Sequence, residues 1–169
     1  TVIGKSLGMG VLSTSMVIAR RGLTIRSSGA VATSDLRPVT CAVIRDGIGH
    51  LVETGLVRRA AELGQLLTDR LRDVVRAFPQ VYSEVRGVGV MQGVELTEQA
   101  AGLLPALRDQ LIRAGVYVEF MAGAGRRSDG LRYVYPTMRI APPLIIQPAE
   151  VAALIDRIRA GTAAFQASA

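Results

Sequence analysis

Apolar residues recur at Leu56, Ala60, Leu63, Leu67, Leu71, Val74 and Phe78. That is the three-to-four-residue spacing of one helical face, and Pro79 ends the run. Upstream, Val43-Ile44, Ile48 and Leu51-Val52 repeat the spacing behind Pro38. A proline there suits the first turn of a helix, where its missing N–H costs nothing. Glu53-Thr54-Gly55 reads as a break or kink, so the stretch predicts a long helix or helix pair suited to bridging two domains. Before it, residues 1–26 read as a strand end, a glycine-rich turn and a second apolar strand near Ser13 to Ala19. The small polar residues from Ser27 to Pro38 read as a loop.

Beyond Phe78 the pattern changes. Val81 to Leu96 predicts two strands around Arg86-Gly87-Val88-Gly89, and Ala100 to Ala114 an amphipathic helix stopped by Gly115. Val116 to Phe120 is expected as a short strand and Gly123 to Gly130 as a polar loop carrying Arg126-Arg127. Met138 to Ile146 reads as a further strand broken by Pro142-Pro143, a pair that suits a strand end. Gln147-Pro148-Ala149-Glu150 opens the last helix, with apolar positions at Val151, Leu154, Ile155 and Ile158, and Gly161 to Ala169 is expected to fray. The implied organisation is a first region over 1–55, a connecting helix over 56–79 and a small α/β domain of mostly antiparallel strands over 80–169.

Composition narrows the class. With 49% apolar and 20% charged residues, the 169-residue chain has material for a globular core. No stretch approaches about eighteen uninterrupted apolar residues, so no membrane span is expected. The apolar surplus points instead to a subunit interface. No secretory signal is evident, and the expected compartment is the cytoplasm. The single cysteine, Cys41, excludes an internal disulfide and a cysteine-based zinc cage, and is expected to pack in a core. The net charge of +6 raises nucleic acid as a partner. The arginines, however, are interleaved with acids, and four tyrosines and three phenylalanines leave little for base stacking. The charge fits solubility and small anionic ligands better. The chain starts at Thr1-Val2-Ile3, without methionine and apparently in mid-strand, so it is expected to be the C-terminal part of something longer.

Charge usage then supplies the sharpest chemical signal. Nineteen of the twenty basic residues are arginine, and the only lysine is Lys5, within Gly4-Lys5-Ser6-Leu7-Gly8-Met9-Gly10. Guanidinium serves any site that needs charge or a fork of donors, but it stays protonated and cannot condense with a carbonyl. A primary amine can, which makes Lys5 the candidate nucleophile. Gly4-Lys5-Ser6 does not suit a phosphate loop. That motif needs a strand and a glycine five residues upstream and a helix directly after, whereas Gly8 and Gly10 follow here. His50 lies within the predicted helix, away from the glycine-rich blocks, and is not expected to be catalytic.

Four blocks together resemble the class III aminotransferases, pyridoxal-phosphate enzymes of fold type I. They are Gly4 to Gly10, Thr33-Ser34-Asp35-Leu36-Arg37-Pro38, Val85-Arg86-Gly87-Val88-Gly89-Val90-Met91-Gln92-Gly93-Val94-Glu95-Leu96, and Met138-Arg139-Ile140-Ala141-Pro142-Pro143-Leu144. The resemblance implies the end of a fold-type-I large domain, a connecting helix and a small α/β C-terminal domain. It implies that Lys5 holds the cofactor aldehyde as a Schiff base, that Thr33 binds the cofactor phosphate across a dimer interface, and that Arg139 pairs a substrate carboxylate. Thr33 stands in a departing loop, without the family's aromatic and glycine and with Asp35 added. Arg86 is expected to be structural. The implied parent is a homodimer moving an amino group between an amine or amino acid and a keto or aldehyde acceptor, with no metal, nucleic acid or membrane partner. An aminomutase or decarboxylase on the same scaffold, and an incomplete half acting only through dimerisation, are the alternatives. The groups that stack on the ring and meet its nitrogen would lie upstream of this chain, so the chain alone is expected to be inactive.

Overall fold

The computed structural model describes residues 1–23, 37–126 and 132–168, which form two compact units, Thr1–Leu56 and Val57–Ala169. In the first unit, β1 (Val2–Ile3) pairs antiparallel with β2 (Met16–Val17), Val2 opposite Val17 and Ile3 opposite Met16. A single 3₁₀ turn, Lys5–Gly8, lies between them. The apolar stretch expected as a strand near Ser13 to Ala19 thus contracts to two residues. Helix α1 (Pro38–Glu53) starts at its proline and ends where Thr54 donates both its N–H and its hydroxyl to the His50 carbonyl. Gly55 follows with φ +68, a left-handed conformation that glycine adopts without a Cβ penalty and that breaks the helical run as the sequence suggested. No residue of α1 is buried, and Cys41 on it is exposed. The expectation that Cys41 packs in a core is corrected accordingly.

The second unit opens with α2 (Leu56–Ala77), whose buried Leu63, Leu67, Leu71 and Val74 realise the predicted stripe. Then come β3 (Tyr82–Val88), β4 (Met91–Leu96), α3 (Glu98–Gly102), α4 (Leu104–Arg113), β5 (Glu119–Arg126), β6 (Arg132–Ile140) and α5 (Pro148–Ser168). The four strands form one antiparallel sheet in the order β3-β4-β6-β5. Alternation along β4 sends Gln92, Val94 and Leu96 to a buried face and Met91, Gly93 and Glu95 to the other. The buried face joins side chains of α2, α4 and α5 in one core, with Leu67, Leu71, Leu107, Leu111, Met138 and Ile158 fully enclosed. Each such side chain contributes about 1.5–3 kcal/mol by leaving water.

Close approaches fix this unit. Val88 pairs with Met91, so Gly89 (φ +58) and Val90 make a two-residue hairpin loop. A Cβ on Gly64 of α2 would stand 2.4 Å from the Gly89 backbone, so the helix touches the hairpin where neither residue has a side chain. The Tyr82 hydroxyl donates to Thr162 Oγ1 (2.8 Å), which donates in turn to the Ile158 carbonyl (2.7 Å), tying β3 to α5 in the core. Helix α4 ends at Gly115 (φ +82), with Val116 N–H on the Leu111 carbonyl, the six-to-one bond of a glycine-stopped helix.

Four local expectations give way. The helix foreseen over Ala100 to Ala114 is two helices, because Pro105 has no N–H for the Ala101 carbonyl and instead occupies the first turn of α4. The strand foreseen at Val116 to Phe120 runs from Glu119 to Arg126, so Gly123 to Arg126 are strand and not loop. Strand β6 stops at Ile140, before the paired prolines, and does not continue to Ile146. Gly161 to Ser168 do not fray: α5 continues through them and buries Gly161, Thr162 and Phe165. A Cβ on Gly161 would lie 3.0 Å from Leu111 Cα, so the glycine that looked like a breaker is where α5 meets α4.

Candidate functional site

Lys5 sits where the backbone is least ordinary. Gly4 is extended, and Lys5 follows with φ +57 and Met9 with φ +54. These are the non-glycine residues with left-handed backbone among those described. Such a conformation costs roughly 1–2 kcal/mol per residue and persists only where its surroundings hold it. Here the Met9 N–H bonds to the Ser6 carbonyl (3.0 Å) and the Val11 N–H to the Gly8 carbonyl (2.9 Å). Leu7 and Gly8 are buried, and a Cβ on Gly8 would meet the Thr14 methyl at 3.4 Å. The Met9 side chain lies so close to Gly47 of α1 that a Cβ there would stand 2.5 Å from it. The turn is therefore pinned on both sides. The Lys5 side chain is exposed, with no hydrogen bond or ion pair among the described residues. A fixed backbone presenting an unengaged amine, flanked by small residues, can accept a planar carbonyl compound.

Arg139 belongs to the second unit. On β6 it lies opposite Gly93 of β4 and Glu119 of β5. With Arg86 opposite Gly93 on the other side, one row crosses all four strands: Arg86, Gly93, Arg139, Glu119. The Arg139 guanidinium is ion-paired with Glu119, both about half exposed. Arg86 donates to Glu84, Glu95 and Thr137, the last two at 2.6 and 3.2 Å. The hydrogen bond to Glu84 foremost, then the charge of Glu95, holds the Arg86 guanidinium above its ordinary pKa. Arg86 thus ties β3, β4 and β6 together, the structural role its sequence context suggested. An open cleft of about 620 Å³ is lined by Arg86, Gly93 and Arg139 of the row together with Val88, Met91 and Tyr135.

Thr33 lies outside the described residues, as does most of the Ser27 to Pro38 loop. His50 is exposed on α1, and among the described residues no group of three or more His, Cys, Asp or Glu side chains is placed to hold a metal. No described helix is long and apolar enough to cross a membrane. Sequence reasoning missed Glu119. Its only sequence signal was a carboxylate in a short apolar run, and its partner stands twenty residues away across a strand pair.

The profile of the Aminotransferase class-III family matches residues 1–161. The mitochondrial ornithine aminotransferase of Oryza sativa subsp. japonica is 34% identical over 154 residues, which cover 89% of this chain and 30% of that protein. The acetylornithine aminotransferase of Methanothermobacter thermautotrophicus is 29% identical, over 92% of this chain and 36% of that protein. Among solved structures, the ornithine aminotransferase from Toxoplasma gondii ME49 superposes with a TM-score of 0.80 at 26% identity, covering 99% of this chain and 37% of that one. The chain therefore spans about a third of the length of the relatives it matches.

Proposed function

The chain belongs to the class III aminotransferases, a pyridoxal-phosphate-dependent family of fold type I, and on that premise we propose that it supplies the lysine-bearing third of an enzyme moving an amino group between an amine or amino acid and a keto or aldehyde acceptor. The observation that carries this reading is Lys5: the one lysine of the chain, on a pinned left-handed turn, its amine unengaged among the described residues. A cofactor aldehyde requires that amine and no arginine can replace it.

When bound, the cofactor supplies an electron sink that stabilises negative charge on the substrate carbon. The chain's own residues do the rest. Lys5 Nζ would hold the cofactor at its aldehyde carbon, and when not so engaged it would accept a proton from the substrate carbon and return it elsewhere. The glycines around Lys5 keep the turn thin, so that the amine can approach a planar ring closely. Thr33 is proposed to bind the cofactor phosphate, and Arg139 to meet a substrate carboxylate through its planar fork. A homodimer is proposed for the parent, supported by Ile48 and Val52, exposed apolar side chains one turn apart on α1. The 169 residues alone are expected to capture cofactor without completing a catalytic cycle.

The test is reductive trapping. The purified chain is titrated with pyridoxal phosphate, reduced with borohydride and mapped by peptide mass. Saturable modification on Lys5 at low cofactor concentration, lost in Lys5→Arg, is the expected result. Modification of Lys5 without saturation would remove the special role given to it.

A further inference from the structure

Two glycines interrupt the middle of α1, Gly47 and Gly49, and each weakens the helix relative to alanine. Their surroundings differ. A Cβ on Gly49 would meet only the Glu53 carboxylate, at 3.9 Å. A Cβ on Gly47 would stand 2.5 Å from both Cγ and Cε of Met9 and 2.7 Å from its sulfur. The thioether side chain thus lies along its length across Gly47, in a notch that the missing methyl leaves open, the kind of gap methionine fills well. Turning the tip of Met9 alone would not make room for an alanine, because Cγ, near the root of the side chain, is as close as Cε.

Met9 is also the residue that ends the Lys5 turn. It caps the 3₁₀ turn Lys5–Gly8 in the left-handed conformation, with its N–H on the Ser6 carbonyl at 3.0 Å. Lys5 opens the same single turn and is left-handed too. At the other end the turn is tied by β1, where Ile3 pairs with Met16, and by the Leu7 N–H, which reaches back to the Gly4 carbonyl at 3.3 Å. Leu7 and Gly8, between Lys5 and Met9, are buried, so a displacement of Met9 is passed along the backbone to Lys5. Left-handed backbone at a residue with a side chain persists only where its surroundings hold it.

We infer that Met9 is a positioning residue for Lys5: its side chain latches the lysine turn to α1 through the notch at Gly47 and so fixes where the amine is presented. The inference rests on the role proposed for Lys5 and adds what holds that residue in place. A turn freed from α1 spends only part of its time in the arrangement that captures a carbonyl, and capture weakens by that fraction.

The chain's one lysine makes the test direct, because nitrogen-labelled lysine gives a single backbone amide signal by NMR. The full 169-residue chain is compared with Gly47→Ala, Gly49→Ala, Met9→Gly and the Met9→Gly/Gly47→Ala double variant. Two quantities are read, the Lys5 amide signal and the half-saturation of Lys5 by pyridoxal phosphate trapped with borohydride. Both alanine variants favour the helical state of α1. Only Gly47→Ala is expected to shift or split the Lys5 signal and to weaken capture, by about fivefold if the competent turn falls to about a fifth of the population. Met9→Gly should weaken capture by a similar factor, and adding Gly47→Ala to it should change nothing further, since the new methyl then has no thioether to displace. Wild-type capture and an unmoved Lys5 signal in every one of these variants, with Lys5→Arg abolishing capture, would overturn the positioning role and leave the reading of Lys5 standing. Gly47→Ala acting as strongly without Met9 as with it would overturn the role as well, by placing the effect in the helix alone. No saturable capture on Lys5 in the wild-type chain would remove the reading of Lys5 and the inference with it.

Discussion

The two units solve opposite problems. Among the described residues, Leu7 is the one buried hydrophobic side chain of Thr1–Leu56, whereas Val57–Ala169 encloses 21. The larger unit has the parts of an independent fold: an amphipathic helix, a sheet with one apolar face, glycine contacts where helices meet backbone, and a buried hydroxyl pair. The smaller unit holds two left-handed non-glycine residues, the only lysine and a helix with no buried residue. Left-handed backbone is concentrated in the unit that carries Lys5, and packing in the unit that carries the arginine row. A unit with so small a core opens more readily than one with a large core.

The largest break in this comparison should come from a cavity. Leu67→Ala, at a fully enclosed position of α2, is expected to lower unfolding free energy by about 3 kcal/mol. Val39→Ala on exposed α1 should stay within about 0.5 kcal/mol, both read by urea denaturation. Next is Gly64→Ala. Its methyl would press on the Gly89 backbone at 2.4 Å, so a loss of about 1–3 kcal/mol is expected, larger than the gain in helix propensity.

Tyr82→Phe sharpens the comparison through pH. Burial raises the Tyr82 pKa from 10.0 to about 12, with the Thr162 hydrogen bond opposing slightly. Between those values the unfolded chain has released the phenolic proton and the folded chain still holds it. Stability is therefore fully present below about pH 10 and falls as pH rises toward about 12, by up to about 1.4 kcal/mol per unit. Tyr82→Phe should lose about 1 kcal/mol at neutral pH and lack that alkaline decline. The smallest effect is expected from Glu119→Gln, within about 0.5 kcal/mol, because its ion pair is half exposed. A larger loss would mean that the pair supports the sheet.

Legibility followed the range of the interactions. The stripe of α2, the proline start of α1, the β3–β4 hairpin and the stop at Gly115 are local signals and could be read from the chain. Gly161 misled because its absent side chain looks like a breaker until α4 is placed against it. Gly123 to Arg126 misled because small residues resemble a loop when their strand partner in β6 is out of sight. Lys5 stands out in the sequence by its rarity among arginines, but its φ of +57 does not. Arg139 stands out by the block around it. Glu119 does not, since a cross-strand partner is fixed by register and no short pattern in the sequence announces it.

Hydrogen exchange read by mass spectrometry on the intact chain tests this division of labour most directly. The account predicts that amides of α2, β4 and α5 exchange only with global unfolding, while those of α1 exchange about a hundredfold faster or more. Protection of α1 equal to that of α5 would contradict it, showing that the lysine-bearing unit is as firmly built as the one beside it in sequence.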